Sequence, residues 1–278
     1  MAPRGSRGGR SGGPREPLPR PIQVSKKLSW LLRHGAEEEG LTFLPGGFLP
    51  VSAVLANRKF RSLQVTFAEV KDVIAADEKQ RYTLQQASSE TTDADVTKPD
   101  AWVVRANQGH SVKLQDDQGL LRPVTKETMP EIAVHGTTHA AWPLIVASGG
   151  LKPMKRNHVH FASGLPEGFT SLPKTDAASA PGSDGDCDLI TAPVISGMRK
   201  TSTILIFLDL PKAIDAGLKF GVSDNRVVLT EGDSEGLVSL TLFKRVEDRT
   251  GLGVLVEDGR VVQEAPESWG KGRGKGKG

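Results

Sequence analysis

The first foldable stretch of the chain has apolar residues at helical spacing. In VSKKLSWLLRHG, Val24, Leu28, Leu31 and Leu32 fall on one face of a helix, and we expect Gly35 to end that helix. The following GGFLPVSAVLAN predicts a short strand and then a helical turn. Folding is therefore predicted to begin at about position 22.

A second helix is predicted over TFAEVKDVIAADE. Thr66 and Glu69 have the spacing of a capping box, and Phe67, Val70 and Ile74 line one face. Two stretches that alternate like strands follow, QRYTLQQ and AWVVRA, separated by a polar loop over about 87–99. Two helices followed by two strands around a loop predict a small winged-helix-like unit over residues 22–115.

The segment QDDQGLLRPVTKETMP has little periodicity, so we place a boundary between two lobes there. The second lobe, over residues 129–248, is predicted from the strands EIAVHGT, NHVHFA, NRVVLTEG and GLVSLTLFKRVE, and from STILIFLDL, which is apolar enough to be buried on both faces. HAAWPLIVASGG predicts a helix that ends at Gly149 or Gly150, and PKAIDAGL predicts a short one. A Gly-, Pro- and Ser-rich stretch over about 162–193 is predicted to be a disordered insertion, because structureless loops of that length are uncommon within a domain.

The charge is concentrated at the two ends of the chain. The net charge is +3, yet residues 1–20 and 268–278 each carry +4, which leaves −5 on the rest. Such Gly-rich basic tails cannot bury apolar surface, so we expect residues 1–21 and the end of the 249–278 segment to be disordered. They are similar to the RGG-like segments that hold single-stranded nucleic acid; a solubilising or nuclear-import role is the alternative.

Other features of the composition exclude several classes of protein. No apolar run approaches the roughly 20 residues of a membrane helix, and the N-terminus lacks the apolar stretch of a secretory signal. Cys187 is the one cysteine, which excludes an intrachain disulfide. We therefore expect an intracellular protein, cytoplasmic or nuclear or both, with no membrane partner.

Metal binding is the first hypothesis that the six histidines raise. His158 and His160 flank one residue of a predicted strand and share a face. No Asp, Glu or Cys stands within a few residues of either, whereas zinc sites recruit three or four ligands. We expect no metal.

An anion site fits the arginines better. Arg33, Arg105, Arg156 and Arg199 each lie at the end of an apolar element beside Gly, Asn or His, and none has an acidic neighbour in sequence. A guanidinium offers a rigid fork of donors that matches phosphate oxygens. Any one of these arginines alone would be expected to pair with a carboxylate at the surface. Four in comparable settings favour a phosphate pocket.

Five stretches, in this order, resemble the tRNA 2′-phosphotransferases: LSWLLRHG, VVRANQGHS, VHGT, HVHFASG and ISGMRKTSTILIFLD. The resemblance covers about residues 22–248. It implies an α+β fold of two lobes, an N-terminal winged-helix-like lobe and a C-terminal β-sandwich lobe of the ADP-ribosyltransferase type, with the active site between them. It also implies an enzyme, expected to be a monomer, that uses NAD to remove an internal 2′-phosphate from RNA, most simply from spliced tRNA.

The resemblance also assigns residues to roles. The family's catalytic set carries over to Arg33, His34, Arg105 and Arg199. Residues of two strands are expected around the NAD: His135, Gly136, Thr137, His158 and His160. The residues that follow Arg105 are expected to cradle the phosphate and RNA backbone: Asn107, Gln108, His110 and Ser111, with Gly109 allowing close approach. For His110, a structural hydrogen bond is the preferred role and acid–base work the alternative.

The chemistry of the family explains why arginines are wanted. The 2′-phosphate attacks the ribose carbon that bears nicotinamide, and a phosphate monoester is already an anion near pH 7, so this step needs positioning and neutralisation. In the second step a ribose hydroxyl attacks the phosphorus and releases the RNA 2′-hydroxyl. Proton transfer helps there, and His34 is the member of the set that can titrate near pH 7. We therefore expect His34 to matter more to the second step.

Two other interpretations remain open. An ADP-ribosyltransferase could act on another acceptor, such as a nucleic-acid terminal phosphate or a protein side chain. Glu231 and Glu235 lie where the protein-modifying enzymes carry a glutamate. A winged-helix RNA-binding protein with an inactive second lobe is the other interpretation, although an inactive site has no reason to keep all four residues of the set.

Overall fold

A computed structural model of the protein describes residues 16–87, 95–114, 119–172 and 197–270. The described residues form a mixed α/β structure with one large antiparallel sheet and short helices. No helix within these four ranges is long and apolar enough to cross a membrane. Residues 1–15 and 271–278 of the predicted basic tails, Cys187 and most of both predicted loops (88–94 and 173–196) lie outside the described residues. The prediction that the N-terminal tail extends to residue 21 is wrong, because the first helix begins at Arg20.

The elements follow one another in short runs. The helices are α1 Arg20–Trp30, α2 Val51–Ala56, α3 Arg58–Arg61, α4 Phe67–Ala75, α5 Trp142–Ala147, α6 Leu210–Asp215 and α7 Glu267–Gly270, with a π-helical turn at Leu31–Gly35 and 3₁₀ turns at Pro45–Gly47, Pro99–Ala101 and Leu240–Leu242. The strands are β1 Leu49–Pro50, β2 Tyr82–Gln86, β3 Trp102–Ala106, β4 Arg122–Val124, β5 Val134–Thr137, β6 Gly150–Leu151, β7 Val159–Ala162, β8 Ile204–Leu208, β9 Phe220–Val222, β10 Val227–Thr230, β11 Val238–Ser239, β12 Phe243–Asp248, β13 Gly253–Glu257 and β14 Arg260–Val261.

The N-terminal part of the chain, residues 20–106, builds a core between α1–α4 and a three-stranded antiparallel sheet of order β1-β3-β2, here called the small sheet. Central Val104 pairs with Leu49 on one side and Leu84 on the other. The predicted capping box is present, because Glu69 N donates to Thr66 Oγ1 at 3.2 Å and Thr66 N donates to the Glu69 carboxylate at 2.9 Å. Both helices and both strands predicted for this part are confirmed.

The predicted end of the first helix at Gly35 is confirmed. The helix begins at Arg20 and widens into the π-helical turn, which ends at Gly35 with Ala36 as its C-cap. The missing side chain of Gly35 leaves space for an indole: a Cβ there would lie 2.3 Å from the ring of Trp30. The glycine therefore serves close packing, and the chain turns away at Gly40, where φ is +72°.

The remaining described residues form a nine-stranded antiparallel sheet, the large sheet, of order β14-β13-β12-β8-β5-β7-β10-β9-β4, and a two-stranded sheet of β11 and β6. The central β8 of the large sheet is buried, as its apolar sequence predicts. Helix α5 ends before Gly149, whose φ is +76°, as predicted. β4 was not predicted: it lies in the aperiodic segment and pairs with β9 at the sheet edge, where pairing on one side suffices.

Two further expectations for this part are wrong. GLVSLTLFKRVE is two strands, because Ser239 caps a 3₁₀ turn through Thr241 N at 3.3 Å; β11 before it pairs with β6, and β12 after it joins the large sheet. Residues 162–172, assigned to a disordered insertion, are folded. Leu165 and Phe169 are buried in a small apolar cluster with Met198.

Candidate active site

Arg33 and His34 come from the π-helical turn that continues α1. Leu31 and Leu32 in the same turn are fully buried in the N-terminal core, and His34 beyond them is exposed. One-turn π segments widen a helix and recur at functional sites. The turn therefore fixes the backbone of Arg33 and His34 against a rigid core.

The polar loop after β3 folds over this turn. Ser111 N donates to the carbonyl of Arg33 at 3.0 Å, and Ser111 Oγ lies 2.8 Å from His34 Nδ1. Gly109 has φ +90°, and a Cβ there would sit 3.5 Å from Arg33 Nε. Close approach of this loop to a ligand stays a prediction, and the residue that lies nearest to Gly109 in the structure is Arg33.

The same loop joins the N-terminal part to the large sheet. The side chain of Asn157, which precedes β7, donates to Val112 O at 2.8 Å, and its backbone N–H donates to His110 O at 3.0 Å. This brings the start of β7, with His158 and His160, next to the loop. The charges of Arg33, His34, His110, His158 and His160 act on one another, so these residues form one polar cluster where the two sheets meet, which is called the cleft below.

Arg33 carries hydrogen-bond donors that no described residue satisfies. Its Nε and Nη2 are buried and have no partner among those residues. Burial lowers the pKa of the guanidinium, and neighbouring Arg156 lowers it further. An arginine stays charged in proteins, and a buried cation with free donors is costly unless an anion binds. Arg33 can therefore bind an anion through these free donors.

Two histidines of the cleft are buried and neutral near pH 7. Burial lowers the pKa of His110 to about 4, with further lowering by Arg33, His158, His34 and Arg105. Burial and then the charges of Arg156 and His158 lower the pKa of His160 to about 3. The Nε2 atoms of both are buried with no hydrogen-bond partner among the described residues. Both can therefore offer an uncharged ring nitrogen to a ligand.

Arg156 acts electrostatically on both sides of the cleft. Burial is the main cause that lowers the pKa of His34, and the charges of Arg33 and then Arg156 lower it further. Burial also lowers the pKa of His135 on β5, and the charge of Arg156 adds to that lowering. The pKa of Arg156 is lowered in turn, by burial first and then by Arg199. The positive charges of the cleft thus act on one another, which favours binding of a polyanion.

Arg105 stands apart from the other arginines because it is already engaged. Its Nη1 donates to Gly46 O at 3.1 Å and Gly119 O at 3.0 Å, and its Nη2 bonds Asp224 Oδ2 at 2.8 Å. Its Nε has no partner among the described residues. The sequence predicted an arginine without an acidic neighbour, but the acidic partner comes from a distant part of the chain.

Arg199 lies exposed in the loop that leads to β8. Preceding Met198 packs directly on Gly136 of β5, where a Cβ would lie 2.3 Å from Met198 Cγ and 2.6 Å from Ser202 Oγ. Gly136 therefore sets how closely the Arg199 loop approaches β5.

The residues predicted for NAD lie together on β5 and β7. His135 Nδ1 lies 2.8 Å from His160 O, and the carbonyl of Thr137 accepts a bond from Thr203 N at 2.9 Å. His158 Nε2 lies 3.8 Å from the Glu231 carboxylate. The Nε2 of His160 is buried and has no hydrogen-bond partner within the four described ranges; a bound nucleotide would satisfy such an atom, so these residues fit NAD.

The other sequence candidates have different surroundings. Asn107 is held by the protein, since Thr83 Oγ1 donates to its Oδ1 at 2.6 Å and its Nδ2 donates to Gln80 O at 2.8 Å. Gln108 is half-buried beside it. His139 is outside the cleft: it stacks on Trp269 at 3.9 Å and lies 2.7 Å from Asp248.

The described ranges contain no group of three or more His, Cys, Asp or Glu that could hold a metal ion. The expected absence of a metal stays a prediction.

Comparison with known proteins identifies the family. The family model described as "RNA 2′-phosphotransferase, Tpt1 / KptA family" matches residues 19–232. The chain belongs to this family. It is 36% identical over 244 residues to tRNA 2′-phosphotransferase 1 of Danio rerio, with 87% of this chain and 92% of that protein covered. The Mus musculus protein of the same name is 37% identical, with 87% and 84% covered, and Saccharomyces cerevisiae tRNA 2′-phosphotransferase is 32% identical, with 85% and 90% covered. These relatives are transferases, so the chain belongs to a family of enzymes.

Sequence reasoning missed the residues that join the two sides of the cleft. Asn157 and Asp224 make these contacts, and neither stands out in the sequence. Asn157 directly precedes the histidine pair that the sequence does single out. This position next to the pair is the one feature of the sequence that points to Asn157.

Proposed function

We propose that this protein transfers an internal 2′-phosphate of RNA, at the junction of spliced tRNA, to the ADP-ribose part of NAD. The products are RNA with a 2′-hydroxyl, ADP-ribose 1″,2″-cyclic phosphate and nicotinamide, and the reaction is the final step of tRNA splicing. Membership of the family supports this proposal. The observation that carries it is that the buried Nε and Nη2 of Arg33, beside His34, have no hydrogen-bond partner in the described part of the chain.

The N-terminal part and the large sheet then correspond to two lobes, the first winged-helix-like and RNA-binding, the second an ADP-ribosyltransferase-type lobe that binds NAD. The domains would be residues 22–115 and 129–248, flanked by basic tails. We propose a monomeric, intracellular enzyme that uses no metal and has no membrane partner.

On the RNA side, arginines bind the 2′-phosphate. Arg33 has two free buried donors and Arg105 has a free Nε among the described residues. Arg199, whose charge acts on Arg156, would stabilise charge that develops on the phosphoryl oxygens. Asn107 keeps the loop in shape, while Gln108, His110 and Ser111 lie where the RNA backbone would pass.

On the NAD side, bound NAD supplies the electrophilic ribose carbon whose bond to nicotinamide breaks. His135, Gly136, Thr137, His158 and His160 would hold it. The neutral Nε2 of His160 can accept or donate a hydrogen bond without adding charge next to the cationic nicotinamide ring. Gly136 lets the Arg199 loop pack closely on β5, and this packing would place the phosphate next to NAD.

His34 is suited to move a proton. Ser111 Oγ holds its Nδ1, which leaves Nε2 as the reactive nitrogen. The pKa of His34 is lowered, first by burial and then by Arg33 and Arg156, so the ring is neutral at pH 7 and can accept a proton. We assign it to the second step, where a hydroxyl attacks phosphorus and the RNA 2′-oxygen leaves.

The test is a single-turnover assay on a short RNA with one radiolabelled internal 2′-phosphate. We expect label to leave the RNA only when NAD is present and to appear in ADP-ribose cyclic phosphate. Arg33→Ala and Arg199→Ala should lose turnover by at least about 100-fold, while Arg61→Ala, at an exposed site on α3, should retain it.

Three outcomes would contradict the proposal. Label that stays on the RNA with NAD present excludes the phosphotransferase. ADP-ribose that accumulates on terminal phosphates would assign the site to another ADP-ribosyl acceptor. Normal binding and turnover of 2′-phosphorylated RNA by the Arg33→Ala variant would show that Arg33 is not part of the site.

A further inference from the structure

The turn between β9 and β10 reaches from the large sheet to the N-terminal part. It is fixed locally, because Ser223 Oγ donates to Asn225 Oδ1 at 2.8 Å and Val227 N donates to Ser223 Oγ at 3.1 Å. Asn225 is buried, and its Nδ2 donates to Lys79 O at 3.0 Å. Ser223 therefore holds the turn in shape and Asn225 docks it on the N-terminal part, and none of these contacts involves the Asp224 side chain.

Asp224 uses this docked turn to reach Arg105. Its Oδ2 lies 2.8 Å from Arg105 Nη2, and 3.3 Å from Thr83 Oγ1. The Asp224 side chain is 44% exposed, whereas that of Arg105 is 8% exposed. An exposed carboxylate from one sheet thus meets a buried guanidinium from the other.

The remaining contacts of Arg105 show which donors are left for a ligand. Nη1 uses its hydrogens on the carbonyls of Gly46 and Gly119, and the ring of Phe48 lies 4.7 Å from the guanidinium carbon. A guanidinium has five N–H donors. Asp224 takes one of the two on Nη2, so one Nη2 hydrogen and the Nε–H, unpartnered among the described residues, remain.

We propose that Asp224 is a positioning residue: its carboxylate orients Arg105 across the two sheets so that the free Nε–H and Nη2–H meet the RNA 2′-phosphate. This inference rests on the proposed function. The carbonyls hold one end of the guanidinium and Asp224 fixes its rotation, so the phosphate meets a preorganised pair of donors. Preorganised donors give more binding and rate than the same donors left mobile.

The experiment compares binding of two RNAs of one sequence, with and without the internal 2′-phosphate, by fluorescence anisotropy. Asp224→Ala should reduce the preference for the phosphorylated RNA by about 10- to 100-fold, the range for one charge-assisted hydrogen bond. Asp224→Asn keeps an oxygen that accepts from Nη2 and should lose only about 3- to 10-fold. Asp215→Ala breaks an exposed ion pair with Lys126 and should change the preference less than about twofold.

Two further measurements separate positioning from a general loss of structure. NAD affinity should be unchanged in every variant, because Asp224 contacts no residue assigned to NAD. In the Arg105→Lys background, Asp224→Ala should cause no further loss of phosphate preference, because the effect acts through Arg105. If Asp224→Ala does not fold, Asp224→Asn replaces it both in the binding assay and in the double-mutant cycle with Arg105→Lys.

The failures can be told apart. If the unaltered protein does not prefer 2′-phosphorylated RNA, the proposed function itself is wrong. If it does, and Asp224→Ala keeps that preference, Asp224 does not position Arg105. Tighter phosphate binding by Asp224→Asn would identify the carboxylate as a competitor and would also overturn the inference. An Asp224→Ala loss that is equally large in the unaltered protein and in the Arg105→Lys background would overturn it as well.

Discussion

Replacing His110 should remove one defined part of the pH dependence of stability. The imidazole is 4% exposed, and its surroundings lower its pKa from 6.5 to about 4. Between these values the folded protein binds fewer protons than the unfolded chain, so stability is present above about pH 6.5 and is lost as the pH falls towards 4. At about 1.4 kcal/mol per pH unit, the full loss is about 3 kcal/mol.

The perturbation is His110→Gln, which cannot titrate. Urea unfolding, followed by tryptophan fluorescence at pH 7.5 and pH 4.5, gives the free energy of unfolding of both proteins at each pH. The variant should be less stable than the original at pH 7.5, because it loses packing. By pH 4.5 the difference should have moved in favour of the variant by about 2.5 kcal/mol, whatever the size of the packing loss.

A second measurement tests the cause of the shift. Arg33, Arg105, His34 and His158 surround His110, so an anion in the cleft should raise its pKa. In NMR titrations the His110 ring should titrate near pH 4 alone and at a higher pH with a 2′-phosphorylated dinucleotide. A stability difference that is the same at both pH values, or a ring that titrates at its ordinary value near 6.5, would refute the reasoning.

Two other predictions concern catalysis and packing. His34→Ala should slow the second step and cause ADP-ribosylated RNA to accumulate in single-turnover reactions; slowed turnover without accumulation would contradict this assignment. Gly136→Ala places a methyl group 2.3 Å from Met198 Cγ and 2.6 Å from Ser202 Oγ, so it should lower kcat/KM about 10- to 100-fold by displacing the Arg199 loop. Adding Met198→Ala should recover part of that loss by vacating space, and unaltered activity of Gly136→Ala alone would show that the loop is not set by this contact.

Local patterns of the sequence predicted the elements that depend on local physics. The apolar faces of α1 and α4, the capping box of Thr66 and Glu69, and buried β8 were all confirmed, because periodicity and capping act over a few residues. The folding of residues 162–172 was missed, because widely spaced Leu165 and Phe169 are buried by Met198, which is distant in sequence.

The same division applies to the site. The sequence determined which residues could carry the chemistry: the Arg33-His34 pair, the polar loop after β3, the histidine strand and Arg199 are motifs that can be recognised as strings. It could not determine how they are packed, since the sequence does not show that Gly35, besides ending the helix, makes room for the Trp30 ring.

Which charges are neutralised depends on long-range packing. Arg105 meets Asp224 although more than a hundred residues separate them, whereas Arg33, which looked the same in sequence, keeps two buried donors without a partner among the described residues. A pairing of this kind depends on how two sheets dock, and the docking energy is spread over many contacts that no short motif encodes. The chemical groups of the cleft thus follow from the sequence alone, and the packing of the two sheets decides which of them remain available to a phosphate.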